Sequence, residues 1–433
     1  MHDRSVAATP VANPSVADTP VDEPAIPGSA SRPPPAGDRD PLESPGSALP
    51  PHGGNRIATA ARLGCRPGAL LDASASLVPF GPPAQLRWCL LREALRLGSA
   101  VRDYPDRDAV ALRQAIAAWH GLDPAMVLPG NGAAELFTRA ARDAAACGVS
   151  LLPPPGFADY GRALACWQAP WQPLPLPLAW DGAWPQPFPW REAAPSESPS
   201  ATLAPDPARV LWVTNPHNPT GQLWCRASLA ALLPRFALVI VDEAFLPLVP
   251  QGEAQSLLPL LADHPNLVVI RSLTKLCSIA GLRLGYAVGQ PDRLRRWARW
   301  RDPWPINGLA SAAGLALLEQ PESLERWQQR VTRWVATEGA WLASRLALLP
   351  GLEPQPSATN FLLVRGRRGG QPESLEPLRL ALEQRQRILV RDCRSFSGLD
   401  ASWLRIGLQD RHGHRRLLRA LSQERQGMPR DDS

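Results

Sequence analysis

Lysine is almost absent from the 433 residues of this chain. One lysine, Lys275, stands among 45 arginines. An arginine can replace a solvated lysine at little cost, but a guanidinium cannot serve where a neutral amine is needed, because it does not deprotonate in proteins. The retention of one primary amine therefore indicates that Lys275 has a chemical role.

Long apolar runs and paired cysteines are also missing. No apolar run approaches the roughly 18 residues of a membrane-spanning helix, and the first residues have neither the basic nor the apolar region of a secretory signal. The seven cysteines include no Cys-x-x-Cys pair, which argues against a disulfide framework and a zinc ribbon. These absences predict a cytoplasmic protein that does not enter a membrane.

The charge pattern disfavours nucleic-acid and metal binding. The net charge is +6, but the basic residues are spread along the chain instead of forming one patch. His412 and His414 have no acidic or cysteine partners at ligand spacing, so no metal site is predicted. A small anionic ligand fits this composition better.

Proline is concentrated in two stretches. Residues 1–50 hold 11 prolines and no Phe, Trp or Tyr, and we predict a disordered tail there. Residues 170–207 also hold 11 prolines but carry four tryptophans. The second stretch is therefore predicted to be a packed surface insertion.

The rest of the chain alternates between strand and helix patterns. Apolar runs at 209–214, 237–241 and 267–270 are typical of strands covered on both faces, and helical patterns occur at 108–120 and 226–233. They predict an α/β fold with a mostly parallel sheet covered by helices. A helix from 324 to about 348 and a strand at 360–364 indicate a smaller α+β domain.

A distinctive polar residue follows each of the three apolar strands. Asn215 follows the first, Asp242 the second, and Lys275 comes shortly after the third. Because ligands of open α/β sheets bind beyond the carboxyl ends of the strands, we expect these three side chains to converge on one crevice.

A candidate phosphate site has a separate signal. Gly130-Asn131-Gly132 is a glycine-rich turn that opens a helix, where the free amides of Gly132 and Ala133 and the helix dipole favour an anion. The hydroxyls of Ser272 and Thr274 and the cation of Arg283 can surround the same phosphate.

An amine, a carboxylate and a phosphate site together suggest one cofactor. An amine forms a Schiff base with a carbonyl cofactor, and a buried carboxylate keeps a pyridine nitrogen protonated, so that the ring withdraws electrons. The Asn215 amide can bond the ring's phenolic oxygen, and Phe157 can stack on the ring. This set describes pyridoxal 5′-phosphate.

The motifs resemble those of the fold-type I, class I/II aminotransferase superfamily, and most closely the branch that holds threonine-phosphate decarboxylases and histidinol-phosphate aminotransferases. The similarity spans roughly residues 51–425. It is carried by His52-Gly53-Gly54-Asn55, Tyr104-Pro105, Gly130-Asn131-Gly132, the Asn215–Gly221 segment, Asp242-Glu243-Ala244-Phe245, Arg271–Lys275, Gly281–Gly285, Arg391 and Arg405.

The resemblance implies a role for each residue. Lys275 is the Schiff-base lysine and proton shuttle, Asp242 pairs with the pyridine nitrogen, and Asn215 contacts the ring oxygen. Tyr104 reaches the phosphate from the partner subunit of a homodimer. Four further residues are implied to bind the substrate: Arg405, Arg391, His52 and Ser76.

The resemblance also implies a domain organisation. Residues 51–95 form an N-terminal segment that packs with the small domain, 96–309 the large domain that binds pyridoxal phosphate, and 310–425 the small C-terminal domain.

Two reactions fit the resemblance, and they differ in the bond that breaks at the substrate Cα. The early His-Gly-Gly-Asn and Phe245, where aminotransferases of the branch carry a tyrosine, favour a threonine-phosphate decarboxylase, a lyase that makes aminopropanol phosphate for cobalamin biosynthesis. The Ser74-Ala75-Ser76 segment lacks the branch's asparagines. The alternatives are an aminotransferase, such as one acting on histidinol phosphate, and a binding protein that kept the fold without catalysis.

Overall fold

The computed structural model describes residues 53–96, 98–177, 181–190 and 206–426. The tail predicted over 1–50 and part of the 170–207 insertion lie outside these ranges. Within the described ranges, no helix is both long and apolar enough to cross a lipid bilayer.

The strands form two sheets. In chain order they are β1 (Leu71–Ala73), β2 (Val127–Asn131), β3 (Val149–Leu152), β4 (Trp171–Pro173), β5 (Asp206–Thr214), β6 (Phe236–Asp242), β7 (Leu267–Ser272), β8 (Leu284–Gly289), β9 (Leu352–Pro354), β10 (Phe361–Arg368), β11 (Gln371–Pro372), β12 (Ile388–Asp392) and β13 (Trp403–Gly407).

Helices cover both sheets. They are α1 (Arg56–Arg62), α2 (Ala84–Arg96), α3 (Ser99–Arg102), α4 (Val110–His120), α5 (Gly132–Cys147), α6 (Ala158–Ala165), α7 (Arg226–Ala230), α8 (Leu273–Leu276), α9 (Pro291–Arg299), α10 (Gly308–Leu318), α11 (Pro321–Leu346), α12 (Glu376–Gln384) and α13 (Arg411–Gln426).

The large sheet has the strand order β2-β8-β7-β6-β5-β3-β4 among the described residues. Its strands are parallel except β8, which runs antiparallel to β7 and β2. Successive residues of β6 belong to cores on opposite faces, with Leu238 and Ile240 on one and Val239 and Val241 on the other. The expected mostly parallel sheet, covered on both faces, is therefore confirmed.

The three central strands were predicted correctly; β5 ends at Thr214 as predicted, and β6 and β7 end later than predicted. β6 ends at Asp242 and β7 at Ser272, so that both polar residues are held by sheet hydrogen bonds. β4, at the start of the predicted insertion, is an edge strand paired with β3.

The small sheet has the strand order β1-β12-β13-β10-β11, with β9 on β10, within the part of the chain that the structure covers. α11 begins at Pro321 and runs for 26 residues; its first half packs in the core of the large sheet, and its end, at Leu342 and Leu346, packs on the small sheet. The short strand β1 pairs with β12 in parallel and brings the Ser74–Ser76 segment next to the strands that carry Arg391 and Arg405. The domain boundaries remain a prediction.

Candidate active site

A cavity of about 350 Å³ lies beyond the carboxyl ends of β6 and β7, in the size range of small-molecule sites. The structure brings most of the predicted residues to its wall: Ser76, Ala133, Phe157, Asp242, Ser272, Thr274, Lys275, Arg283, Arg391 and Arg405. Gly132, Asn215 and Tyr104 are not on the wall, and His52 lies outside the described residues.

Lys275 lies in α8, the short helix that follows β7. Burial and the charges of Arg405 and Arg283 lower the pKa of its amine to about 8, although Asp242 opposes them. Its Nζ atom is 5.6 Å from the centre of the Phe245 ring. The amine can therefore exist in its neutral, nucleophilic form near physiological pH.

Asp242 is a buried carboxylate whose two oxygens are both hydrogen-bonded. The Ala244 amide donates to Oδ1 at 2.9 Å, and the Tyr160 hydroxyl donates to Oδ2 at 2.7 Å. Burial raises the pKa of Asp242 to about 6, although these hydrogen bonds and Lys275 lower it. Tyr160 is absent from the sequence-based predictions. Its spacing of three residues from Phe157, at the start of α6, is the signal that could have found it.

The first turn of α5 and the Ser272–Arg283 segment form an anion cradle. Gly132 opens this 16-residue helix with φ +74°, and a Cβ there would lie 2.5 Å from the Nη2 atom of Arg283. The Ser272 and Thr274 hydroxyls are 2.6 Å apart on the same wall. Amides, hydroxyls and a guanidinium thus surround one position suited to a phosphate.

The donor set fits pyridoxal phosphate. The amine of Lys275, the carboxylate of Asp242 and the anion cradle all face one cavity, with Phe157 on its wall. The amine can bind the aldehyde of the cofactor and the carboxylate its pyridine nitrogen. The cradle can bind its phosphate, and the Phe157 ring can stack on its aromatic ring. The described residues contain no cluster of three or more His, Cys, Asp or Glu side chains that could hold a metal ion.

Asn215 does not reach the cavity, contrary to the sequence-based prediction. Its side chain is fully buried and closes on the backbone of Trp224, accepting from the amide at 2.9 Å and donating to the carbonyl at 3.1 Å. This pair fixes the ends of the 215–224 loop. Asn218, three residues later, lines the cavity instead, and its Oδ1 accepts a hydrogen bond from Arg405.

Arg391 and Arg405 occupy directly opposed positions of β12 and β13. Both are buried, and burial lowers the pKa of Arg405 to about 10. The Nη2 atom of Arg405 donates to the Ser74 carbonyl at 3.2 Å, while its buried Nε has no hydrogen-bond partner among the described residues. Like charges in opposed positions destabilise a sheet, so this pair favours an anionic ligand between or beside the two guanidinium groups.

The Ser74–Ser76 segment closes the cavity from the small sheet. The Ser74 hydroxyl donates to Asp72 at 2.6 Å and accepts from the Gly54 amide at 2.9 Å. A Cβ on Gly53 would lie 2.3 Å from the Ser74 carbonyl oxygen, so the close approach requires glycine. The Ser76 hydroxyl is buried at the wall without a hydrogen-bond partner among the described residues, which leaves it available to a ligand.

Tyr104 lies on the outer surface. It is 80% exposed and stacks on Trp304, with the ring centres 4.5 Å apart. Within this chain it contributes nothing to the cavity wall.

Comparison with known proteins gives one consistent family. Residues 83–421 match the model of the aminotransferase class I and II family. The threonine-phosphate decarboxylase of Salmonella typhimurium is 35% identical over 386 residues, which cover 86% of this chain and 95% of that protein. The histidinol-phosphate aminotransferase of Symbiobacterium thermophilum is 34% identical over a region that covers 74% of this chain and 82% of that protein.

A solved structure gives the same fold. The histidinol-phosphate aminotransferase of Sinorhizobium meliloti, determined with pyridoxal-5′-phosphate, aligns with a TM-score of 0.70 and 21% identity, covering 88% of this chain and 96% of that one. The expected fold-type I architecture is therefore confirmed. The chain belongs to the aminotransferase class I and II family.

Proposed function

We propose that this chain is a pyridoxal-phosphate-dependent decarboxylase of threonine phosphate. The observation that carries the proposal is the opposed, buried pair of Arg391 and Arg405 in the cavity that holds Lys275. Threonine phosphate offers two anionic groups, a carboxylate and a phosphate, to this pair. Histidinol phosphate offers only the phosphate, although the 2-oxoglutarate that an aminotransferase also binds has two carboxylates. The 35% identity to a threonine-phosphate decarboxylase supports the same choice.

The cofactor would be held by this chain's own residues. Lys275 would bind its aldehyde carbon, Asp242 would pair with the pyridine nitrogen, and the anion cradle at Gly132 and Arg283 would bind its phosphate. Asn218, which lines the cavity, would take the role at the ring oxygen that the sequence assigned to Asn215. When bound, pyridoxal phosphate withdraws electrons from the substrate Cα, which makes loss of the carboxylate possible.

Substrate orientation then selects the bond that breaks. The two arginines bind the anionic ends of the substrate, and the Ser76 hydroxyl is free to add a third contact. Phe245 packs edge-to-face on Phe361 with ring centres 5.4 Å apart and offers no hydroxyl beside the amine. The Lys275 amine would deliver the proton that Cα takes up when carbon dioxide leaves, and the product would be aminopropanol phosphate for the cobalamin side chain.

We also propose that the enzyme is a cytoplasmic homodimer. Large apolar side chains are exposed on α2 and α3 and at Trp304, which stacks on Tyr104, and exposed apolar surface favours a contact with another protein chain. They are Trp88, Leu91, Leu95, Val101 and Trp304. A partner subunit that covers them would bring Tyr104 towards its neighbour's phosphate.

The test is a pair of incubations with the holoenzyme. Threonine phosphate should release carbon dioxide and give aminopropanol phosphate, and histidinol phosphate with 2-oxoglutarate should give no glutamate. Arg391→Met should lose activity, whereas Arg326→Met on the exposed face of α11 should retain it. Glutamate formation without carbon dioxide would establish the aminotransferase instead, and no turnover of either substrate would favour a binding protein.

A further inference from the structure

We infer that Tyr160 and Thr214 form a hydrogen-bonded relay that holds Asp242 as a charged acceptor for the pyridine nitrogen. Both are positioning residues, because they act through Asp242. The inference rests on the cofactor role proposed for Asp242, but not on the identity of the substrate.

The relay consists of two short hydrogen bonds. The Tyr160 hydroxyl is 2.7 Å from Oδ2 of Asp242 and 2.8 Å from Oγ1 of Thr214. Thr214 is the last residue of β5 and lies opposite Asp242 in the sheet register. The relay therefore links α6 to the last residues of two neighbouring strands.

Packing fixes the position of the phenol. Tyr160 is 2% exposed, and its ring meets Phe137 at 5.0 Å and Phe157 at 5.6 Å edge-on, with Trp212 at 5.3 Å on another side. The hydroxyl cannot leave Asp242 without disturbing this aromatic cluster. The same cluster includes Phe157, the ring proposed to stack on the cofactor, so the relay and the stacking face are built together.

The proton count gives the relay a direction. A phenol has one hydrogen, and donating it to Asp242 requires the Thr214 hydroxyl to donate to Tyr160. A proton on Oδ2 of Asp242 would point at the hydrogen of the Tyr160 hydroxyl. The hydroxyls of Tyr160 and Thr214 would then both have to rotate and reverse their hydrogen bonds. The relay therefore favours the carboxylate over the carboxylic acid.

Other groups around Asp242 do not replace the relay. The Ala244 amide bonds only Oδ1, the Lys275 amine acts as a nearby charge, and Glu243 repels a negative charge. Without the phenol, Oδ2 would lose its hydrogen bond within the protein. Burial would then favour uptake of a proton, and a neutral Asp242 pairs less well with a protonated pyridine nitrogen.

The experiment measures cofactor affinity in Tyr160→Phe and Thr214→Val. Tyr286→Phe is the matched control, because Tyr286 is also buried and its hydroxyl bonds a different residue, the Nε2 atom of His120, at 2.7 Å. Each apo protein is titrated with pyridoxal phosphate and with its 1-deaza analogue, in which a C–H group replaces the ring nitrogen.

Tyr160→Phe should weaken pyridoxal phosphate binding about tenfold, the usual scale for one hydrogen bond to a buried charge, and leave binding of the 1-deaza analogue unchanged. Thr214→Val should also weaken pyridoxal phosphate binding, but by a smaller factor. Tyr286→Phe should leave the affinity for both ligands unchanged. An equal loss for both ligands would assign Tyr160 a purely structural role and overturn the inference, as would no loss for either.

If Tyr160→Phe does not fold, Thr214→Val decides, because it leaves the aromatic packing intact. A selective loss of pyridoxal phosphate affinity supports the relay, and an unselective loss or none refutes it. These titrations contain no substrate, so their outcome is separate from that of the decarboxylation assay.

Discussion

Because the ion pair between Arg271 and Glu243 is buried, we expect substitution of Arg271 to cause a large loss of folding stability. Arg271 and Glu243 are buried and lie next to Ser272 and Asp242 in the sequence. Because side chains alternate along a strand, Arg271 and Glu243 point away from the cavity that Ser272 and Asp242 line. Arg271 donates to Glu243 at 2.7 and 3.0 Å. Burial alone would lower the pKa of Arg271, but the charges of Glu243 and Glu253 hold this pKa above its ordinary value.

The size of the loss follows from what Arg271→Met leaves behind. Glu243 is fully buried and would lose its counter-ion, which usually costs about 3–5 kcal/mol in the free energy of unfolding. Hydrogen bonds from the Ser256 hydroxyl at 2.9 Å and the Leu257 amide at 2.8 Å would remain. We therefore expect a loss near the lower end of that range, about 3 kcal/mol.

The loss should depend on pH in a definite direction. Burial already raises the pKa of Glu243, and removal of Arg271 would raise it further. Because the folded variant then binds a proton more tightly than the unfolded chain, it is least destabilised at low pH and loses stability as pH rises.

Urea unfolding of the variant at pH 5 and pH 8 measures both effects. Arg326→Met is the control, because Arg326 is an exposed arginine of α11 whose loss should leave the unfolding midpoint close to wild type. An Arg271→Met midpoint that matches this control, or a loss that is equal at both pH values, would refute the reasoning.

Four further variants test the cavity and the loop beside it. Asn218→Ala should change the visible absorbance spectrum of the holoenzyme while the fold is retained. Asn215→Ala should instead lower the melting temperature measured by calorimetry, because it opens the loop at Trp224. Arg405→Met should raise the pKa of Lys275 above about 8, so that cofactor capture by the apo protein requires a higher pH, as stopped-flow rates would show. Ser76→Ala should raise KM for threonine phosphate several-fold with little change in cofactor affinity.

The sequence predicted the features that depend on residue type and strand ends. A lone lysine among arginines singled out Lys275, and the apolar run before Asp242 put that residue directly after a strand; both side chains line the cavity. These predictions succeed because parallel strands bring their carboxyl ends to one edge, whatever the loops do.

Features that depend on register and loop geometry were not predictable. Asn215 and Asn218 lie three residues apart, and only the closure of the loop on Trp224 determines which of them faces the cavity. The contact of Tyr160 with Asp242 joins positions 82 residues apart. The opposition of Arg391 and Arg405 likewise requires the antiparallel register of β12 and β13.

The most direct test of the account is borohydride reduction of the holoenzyme followed by peptide mapping. Because the chain has one lysine, the account predicts a single pyridoxyl label, on Lys275, and none in Lys275→Ala. A label at the N-terminal amine alone, or no label, would contradict it.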